Sequence, residues 1–316
     1  ISDYLVNRRV LVTGAGGSIG GELCRQLARF NPAELIMLDR DESALHEVQL
    51  SIHGRALLDT PQTVLADLRD EATINYIFDT RKPEVVFHAA ALKHLPLLER
   101  YPLEAYQTNV LGTLTLLNAA QRTGIGVFVN ISTDKAANPI SVLGYSKRIA
   151  ERVTAAVGQS ATSGKYMSVR FGNVLGSRGS VLMSFRDQIA KGGPLTVTHR
   201  GVTRYFMTIS EAVQLVIQAG AIGSSGEALV LDMGTPVSIY DVAKQLVANS
   251  GKPVEIEIVG LRAGEKVHEE LFGEGESDTR PQHPLISHVP VLPVDLGLLV
   301  PSPTDARETM LRIIAN

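Results

Sequence analysis

An α/β fold is what this 316-residue chain predicts: a doubly wound parallel sheet followed by a smaller C-terminal lobe. Three observations predict it. Short, uniformly apolar runs alternate with helix-like segments through roughly the first 130 residues. A glycine-rich turn joins the first apolar run to the first helical pattern. Glycine and proline then thicken after Asn173, where the chain leaves the sheet and builds a second lobe.

The elements follow in order. RRVLVTG, from Arg8, is an apolar run ending in glycine. In the helical pattern after it, Ile19, Leu23 and Leu27 fall at i, i+4 and i+8, one stripe that faces a sheet. ELIMLD (34–39), TVLADL (63–68), EVVFHAA (84–90) and GVFVNIST (126–133) are further strands with helix-like segments between them. Runs this apolar are buried on both faces, as in a parallel sheet with helical crossovers. MSVRFGN (167–173) and ALVLDMG (228–234) add two more. Six prolines from Pro281 to Pro303 predict an extended wrap before a last short helix.

Composition narrows the function classes. With 44% hydrophobic and 20% charged residues the chain is typical of a compact soluble protein. No apolar run approaches the roughly 18 residues of a membrane helix, and no signal peptide is visible. The single Cys24 rules out an internal disulfide and fits a reducing compartment, so a cytoplasmic location is expected. A net charge of −3 argues against a nucleic-acid partner. The eight histidines and one cysteine show no spacing typical of a metal site. A chain beginning at Ile is expected to be part of a longer parent.

TGAGGSIG sets Gly14, Gly17 and Gly20 between the first strand and the first helix. Glycines let backbone amides approach a pyrophosphate, and the helix N-terminus, at Ser18 and Ile19, adds a favourable dipole. Asp39 ends the second strand, where a carboxylate accepts from ribose hydroxyls. Asp67 and Leu68, after the third strand, suit the adenine edge, and Ala89, Ala90 and Ala91 form a small-residue floor on the nicotinamide side. This is a Rossmann pattern for a bound dinucleotide. Asp39 favours NAD, because a carboxylate repels a 2′-phosphate; Arg40 beside it could accept that phosphate, which leaves NADP open. Residues 1–172, completed by about 203–236, form the dinucleotide-binding domain on this reading. Residues 173–202 and 237–316 form the substrate-binding lobe and tail.

Several longer motifs carry a resemblance. They are AALKHLPLLE from Ala90, TNVLGT from Thr108, STDKAANP from Ser132, RFGNVLGSRGSV from Arg170, TRYFMTISEA from Thr203 and LRAGEKVHEEL from Leu261. With TGAGGSIG they cover about residues 8 to 275. The chain resembles the extended short-chain dehydrogenase/reductases that act on nucleotide-sugars, and within them the UDP-N-acetylglucosamine 4,6-dehydratases of CapD type. The resemblance implies a redox-neutral dehydration with an acid–base pair beside the cofactor. It makes Asp134 the acid for the departing C6 hydroxyl, Lys135 the C5 base, and Thr133 a partner of the C4 oxygen. Lys147 is expected to hold the nicotinamide ribose. A lysine base must be partly neutral against an ordinary pKa of about 10.4. Burial and a second cation favour the neutral form, and Lys147 is expected to be that cation.

Short-chain dehydrogenases pair this lysine with a tyrosine four residues earlier. Here that residue is Leu143, and Tyr145 lies two before Lys147, about 200° away on a regular helix. Some members of the resembled family carry methionine at that place and still react, so a working site is expected.

For the sugar-nucleotide, the resemblance points to Asn173, Ser180 and Val181 opening the lobe, and to Thr196 in the extended run PLTVT (194–198). Arg204 and Arg262 are the expected pyrophosphate clamps. Glu265 is expected to accept from the uridine ribose, and Lys93 to reach the substrate. Asn109 is expected to be structural, and His88 a packed strand-end residue. Two rival readings are a UDP-sugar 4-epimerase, which has no use for an acid–base pair at C5 and C6, and a catalytically silent nucleotide-sugar-binding module. A homo-oligomer is expected through the helices beginning near Asn109 and Ser146. Larger members of the resembled family carry a membrane segment ahead of such a domain, which leaves a membrane-anchored parent open.

Overall fold

The computed structural model describes residues 2–316. The first half alternates as expected: β1 (Arg9–Thr13), α1 (Ser18–Leu27), β2 (Glu34–Asp39), α2 (Glu42–His53), β3 (Thr63–Leu65), α3 (Glu71–Arg81) and β4 (Val85–His88). Two short helices, α4 (Leu95–Arg100) and α5 (Pro102–Ala105), lead through a π-helical turn (Tyr106–Leu111) into α6 (Gly112–Thr123). Then come β5 (Val127–Ile131), α7 (Val142–Ser160) and β6 (Lys165–Arg170). Helix starts are fixed locally: Asp41, Asp70 and Ser141 each accept from a first-turn amide of the helix they precede.

The second half holds β7 (Asn173–Leu175), α8 (Val181–Ala190), β8 (Leu195–Val197), β9 (Thr203–Arg204), β10 (Phe206–Thr208) and α9 (Ile209–Ile222). It continues with β11 (Glu227–Leu231), β12 (Val237–Ser238), α10 (Ile239–Ser250), β13 (Ile256–Ile258), β14 (Ile286–Pro290) and α11 (Ala306–Ala315).

The main sheet has eight strands in the order β14-β11-β6-β5-β4-β1-β2-β3, all parallel except β14. The order reverses between β1 and β4, and that switch point is where open α/β sheets bind ligands. Two apolar clusters cover its two faces. One joins α3, α6, α7 and α11; the other joins α1, α2 and α9. A third, smaller cluster gathers Phe185, Leu195, Val197, Ile239 and Val254 from α8, β8, α10 and the approach to β13. This cluster is the core of the second lobe.

The tail, grouped with that lobe on the sequence, packs on the large body. β14 pairs antiparallel with β11 as the edge of the main sheet, and Val294, Leu299, Met310 and Ile313 join the apolar cluster over α7. Arg152 of α7 fastens the tail by donating to the carbonyls of Leu292 (3.2 Å), Pro293 (3.3 Å) and Ile313 (2.9 Å). Residues 142–147, 149–155 and 157 of α7 are therefore buried within one chain. The chain's own C-terminal helix α11 packs on α7. Among the described residues, no helix is long and apolar enough to cross a membrane.

Candidate active site

A cleft opens at the C-terminal ends of β1, β2 and β4. Gly14, Gly17, Asp39, Arg40, Asp67, Leu68, Ala89, Ala90 and Ala91 line it, together with Thr108. Gly14 has φ +66°, and a Cβ there would come within 2.6 Å of the Ala90 backbone, so only glycine lets the turn lie this close to β4. Gly17 caps α1 with no side-chain bond, which leaves the first amides at Ser18 and Ile19 for a ligand, with Gly20 in the first turn behind them. The Asp39 carboxylate accepts from the Gly16 amide (2.8 Å) and the Asp41 amide (3.1 Å), which fixes it at the rim. Thr108 Oγ1, on the π-helical turn, is buried with no protein partner. An uncapped helix start, an oriented carboxylate and an orphan hydroxyl in one groove fit a dinucleotide.

Two of the sequence-predicted cleft residues are engaged with protein. The Asp67 carboxylate binds Arg69 at 2.7 Å, and that bond holds it below the usual carboxylate range; Arg40 lies 3.8 Å from the same oxygen. The Asp67 side chain is thus occupied by arginines, and Arg40 faces a carboxylate.

The residues expected to form the acid–base pair lie at the end of β5. Thr133 caps a 3-10 turn, Asp134–Ala136, and its hydroxyl donates to Asp134 Oδ1 at 2.9 Å. Lys135 Nζ donates to the same oxygen at 2.9 Å and to Asn173 Oδ1 at 3.4 Å. Asp134 is fully buried, and its second oxygen, Oδ2, has no partner. Glu269 closes the group from the other lobe, with Oε1 at 3.6 Å from Lys135 Nζ and Oε2 buried and unpartnered. The sequence reading passed over Glu269; its only signal was its place in LRAGEKVHEEL, the motif that supplies Arg262 and Glu265.

The electrostatics differ from expectation. Burial alone would lower the Lys135 pKa, but the Asp134 and Glu269 carboxylates outweigh it and hold the group above its ordinary value, with Arg204 opposing. The nearby cation is therefore Arg204, not Lys147. Lys147 Nζ donates to the Ile131 carbonyl, and burial pushes its pKa down to about 8, with Glu151 opposing. His88 bridges Thr13 (2.7 Å) and Thr113 (2.8 Å), and burial, aided by Lys147, holds it down to about 3. It is a neutral packed residue. Asn109 accepts from the Leu92 amide (2.8 Å) and donates to the Leu92 carbonyl and Ser146 Oγ (3.0 Å each), tying the β4 loop to α7.

The tyrosine question has a geometric answer. α7 is regular from Val142, capped by Ser141, so Tyr145 has no late helix start to swing it inward. Leu143 and Tyr145 both pack into the apolar cluster over that sheet face. Gly144 lets α7 seat on the acid–base turn: a Cβ there would lie 2.5 Å from the Lys135 carbonyl. Leu143→Tyr is accordingly expected to overpack this cluster, costing about 1–3 kcal/mol in urea unfolding. An unchanged midpoint would place position 143 toward the cleft.

At the sugar-nucleotide end, Arg204 and Arg262 both turn onto Glu265. Arg204 Nη2 lies 3.3 Å from its Oε1, and Arg262 donates through Nε at 3.1 Å to Oε2. Thr198 donates to Oε1 at 2.9 Å. Burial would raise the Glu265 pKa, but Arg262 and Thr198 outweigh it and keep it low. Both expected clamps are thus held on the expected ribose acceptor, Arg204 buried and Arg262 exposed. Thr196 lies in β8, bonded to Gln188 at 2.8 Å. Ser180 caps α8 with a buried, unpartnered hydroxyl, and Val181 begins that helix. The loop before it crosses back over the cradle: the Arg178 amide donates to Ser18 Oγ (3.1 Å), its guanidinium to the Gly16 carbonyl, and Lys93 Nζ donates to the Arg178 carbonyl (2.9 Å). Among the described residues no His, Cys, Asp and Glu cluster could hold a metal ion.

The chain is similar to known proteins over most of its length. The polysaccharide biosynthesis protein family model matches residues 10–291. The capsular polysaccharide biosynthesis protein CapD of Staphylococcus aureus is 48% identical over 282 residues, which make up 87% of this chain and 47% of that protein. The chain thus spans about half the length of such curated relatives. A UDP-glucose 4-epimerase of Rickettsia akari is 34% identical over 84% of this chain and 78% of its own. Among solved structures, Pen from Bacillus thuringiensis superposes with a TM-score of 0.82 at 30% identity, covering 92% of each chain. With the glycine cradle, the switch-point cleft and a match over nearly its whole length, this chain belongs to the polysaccharide biosynthesis protein family, on the extended short-chain dehydrogenase fold.

Proposed function

We propose that the chain is an NAD-dependent nucleotide-sugar 4,6-dehydratase, acting on UDP-N-acetylglucosamine. One observation carries the reading: a fully buried Asp134 with a free oxygen, sharing its other oxygen with Lys135, at the strand ends beside the dinucleotide cleft. Solved structures of this fold lend support, since a UDP-glucose 4-epimerase of Thermus thermophilus and a dTDP-glucose 4,6-dehydratase of Streptomyces venezuelae hold NAD.

A bound NAD would take hydride from C4 of the sugar and return it at C6. The C4 ketone acidifies the C5 proton, so that, besides accepting the C4 hydroxyl proton, the residues must take the C5 proton, protonate the departing C6 hydroxyl, and return a solvent-exchanged proton to C5 as hydride reaches C6. Lys135, as the amine, removes the C5 proton; Asp134, as the acid, protonates the C6 hydroxyl so that it leaves as water. The ion pair already contains that one mobile proton. Moved from Nζ to the carboxylate, it yields the neutral amine and neutral acid together, and a site dried by substrate favours the uncharged pair. Thr133 hydrogen-bonds the C4 oxygen, and the C4 hydroxyl proton goes to Asp134, Lys135 or a water held by Thr133. Lys147 holds the nicotinamide ribose. Asn173, Ser180, Val181, Thr196 and Lys93 meet the sugar-nucleotide, with Arg262 moving from Glu265 to the pyrophosphate. The reaction runs on the cytoplasmic side, in a homo-oligomer.

UDP-N-acetylglucosamine incubated in heavy water and followed by NMR tests this. A 4-keto-6-deoxy product with deuterium at C5 is expected. A C4 epimer without C5 deuterium would favour the epimerase reading that the 34% relative raises, and binding without hydride transfer would favour a silent module. Asp39→Ala should weaken NAD binding at least about tenfold by calorimetry, since a charged hydrogen-bond acceptor is worth about 1.5–3 kcal/mol. Equal affinity would move the ribose contact elsewhere.

A further inference from the structure

We infer that Glu269 is the positioning partner of Lys135: it holds Nζ in place and stabilises the ammonium that forms when Lys135 takes a proton. The inference rests on the dehydratase reading for its catalytic part and on geometry for the rest.

Three groups with formal charge act on Lys135, each from a different element. Asp134 lies beside it on the 3-10 turn, Glu269 approaches at 3.6 Å from the segment after β13, and Arg204 opposes them from β9. Glu269 is buried and its Oε2 is unpartnered, so the carboxylate faces little that would compete for it. An ionised carboxylate costs free energy at such a position unless a cation answers it. Lys135 is the cation within reach.

The backbone carrying Glu269 is fastened to the acid–base turn at several points. Lys266 donates to the Ala137 carbonyl (3.1 Å), Asn138 to Glu270 (3.1 Å), and the Glu274 amide to Asn138 Oδ1 (2.7 Å). Arg170 donates to the Leu271 carbonyl at 2.9 Å. Glu269 is thus delivered to one spot by a segment with no freedom to drift, as a group that orients a catalytic base must be.

The step balances as follows. The C5–H bond breaks, its electron pair passes into the C4 ketone as an enolate, and a new N–H bond forms on Nζ. Lys135 becomes an ammonium between two carboxylates as Asp134 gives its own proton to the leaving hydroxyl. Glu269 opposes the charge just when it appears.

Competitive labelling of lysine amines with acetic anhydride across pH, read by peptide mass spectrometry, measures Lys135 ionisation without turnover. In the wild type Lys135 is expected to label with a midpoint above that of exposed lysines. In Glu269→Gln the midpoint should fall by about one to three pH units, the effect of losing an opposite charge at this range. Glu269→Asp should restore part of the shift. A wild-type midpoint at or below the exposed lysines, or no fall in the glutamine variant with other lysines labelling normally, overturns the inference. Under turnover, Glu269→Gln should lower kcat for C5 exchange about tenfold or more while KM moves little. If the wild type makes no dehydrated product yet the labelling shift appears, the dehydratase reading fails and Glu269 keeps its partner. If product forms and the midpoint does not move, only the role of Glu269 falls.

Discussion

Lys135→Ala is expected to cut C5 deuterium incorporation by about a thousandfold, within the range for loss of a general base. UDP-sugar affinity should stay within about threefold, because none of the expected nucleotide contacts is touched. The substitution also strips the ammonium from two buried carboxylates. Asp134 and Glu269 then face each other's charge with Arg204 as the nearest compensation. Stability should fall by about 3–5 kcal/mol, the cost of breaking a buried pair on one side. Adding Asp134→Asn should recover part of that loss, since the two changes act on one contact and cannot add. Exchange and thermal unfolding of the single and double variants separate the two effects. Undiminished exchange in Lys135→Ala removes the lysine as base. A double variant as unstable as the sum of the singles shows that the pair is not coupled.

Arg170→Ala is expected to be the most destabilising single change outside the site. Arg170 is fully buried and binds Glu151 at 2.8 Å and Glu276 at 2.6 Å, while Arg148 touches both acids from the rim. The same Glu151 accepts from Ser132, next to the acid–base turn, at 2.6 Å. Deleting the guanidinium leaves two buried carboxylates with one partly exposed arginine between them, worth about 3–5 kcal/mol. The pH dependence carries a sign. Burial would raise the pKa of Glu151 and of Glu276, but Arg170 outweighs it and lowers both. Groups depressed in the folded state add stability above their unfolded pKa, about 4.3, and lose it as pH falls through the folded value. Wild-type stability from this network should therefore be level at neutral pH and decline only in strong acid. In Arg170→Ala burial is no longer outweighed and the folded carboxylates titrate upward, so the variant should gain stability as pH falls from neutrality toward 4 while the wild type stays level. Urea midpoints from pH 4 to 8 measure it, and parallel curves for the two proteins would show that the network holds no such linkage.

The fold was legible because the seven parallel strands are local signals. Each is an apolar run short enough to recognise alone, and the Gly14 turn and Asp39 sit at fixed offsets from the first two. The Asp134–Lys135 ion pair was legible for the same reason, since Thr133, Asp134 and Lys135 are consecutive. The antiparallel edge strand β14 was not, because Pro284 and Pro290 bracket it and mask its pattern. Arg204 and Glu265 were singled out separately, with nothing to show that they face each other.

What the sequence by itself determined is therefore what lies within a few residues along the chain: the strand order's repeating unit, the phosphate turn, the carboxylate at the second strand's end and the adjacent acid and amine. Only the tertiary structure decided which distant charges surround Lys135, which segment covers α7, and that Arg204 rather than Lys147 acts as the neighbouring cation. The reason is range. Backbone periodicity is set by neighbours in sequence, whereas the field at a buried ionisable group is set by whatever packing brings within a few ångströms, and at Lys135 that includes a carboxylate 134 positions away.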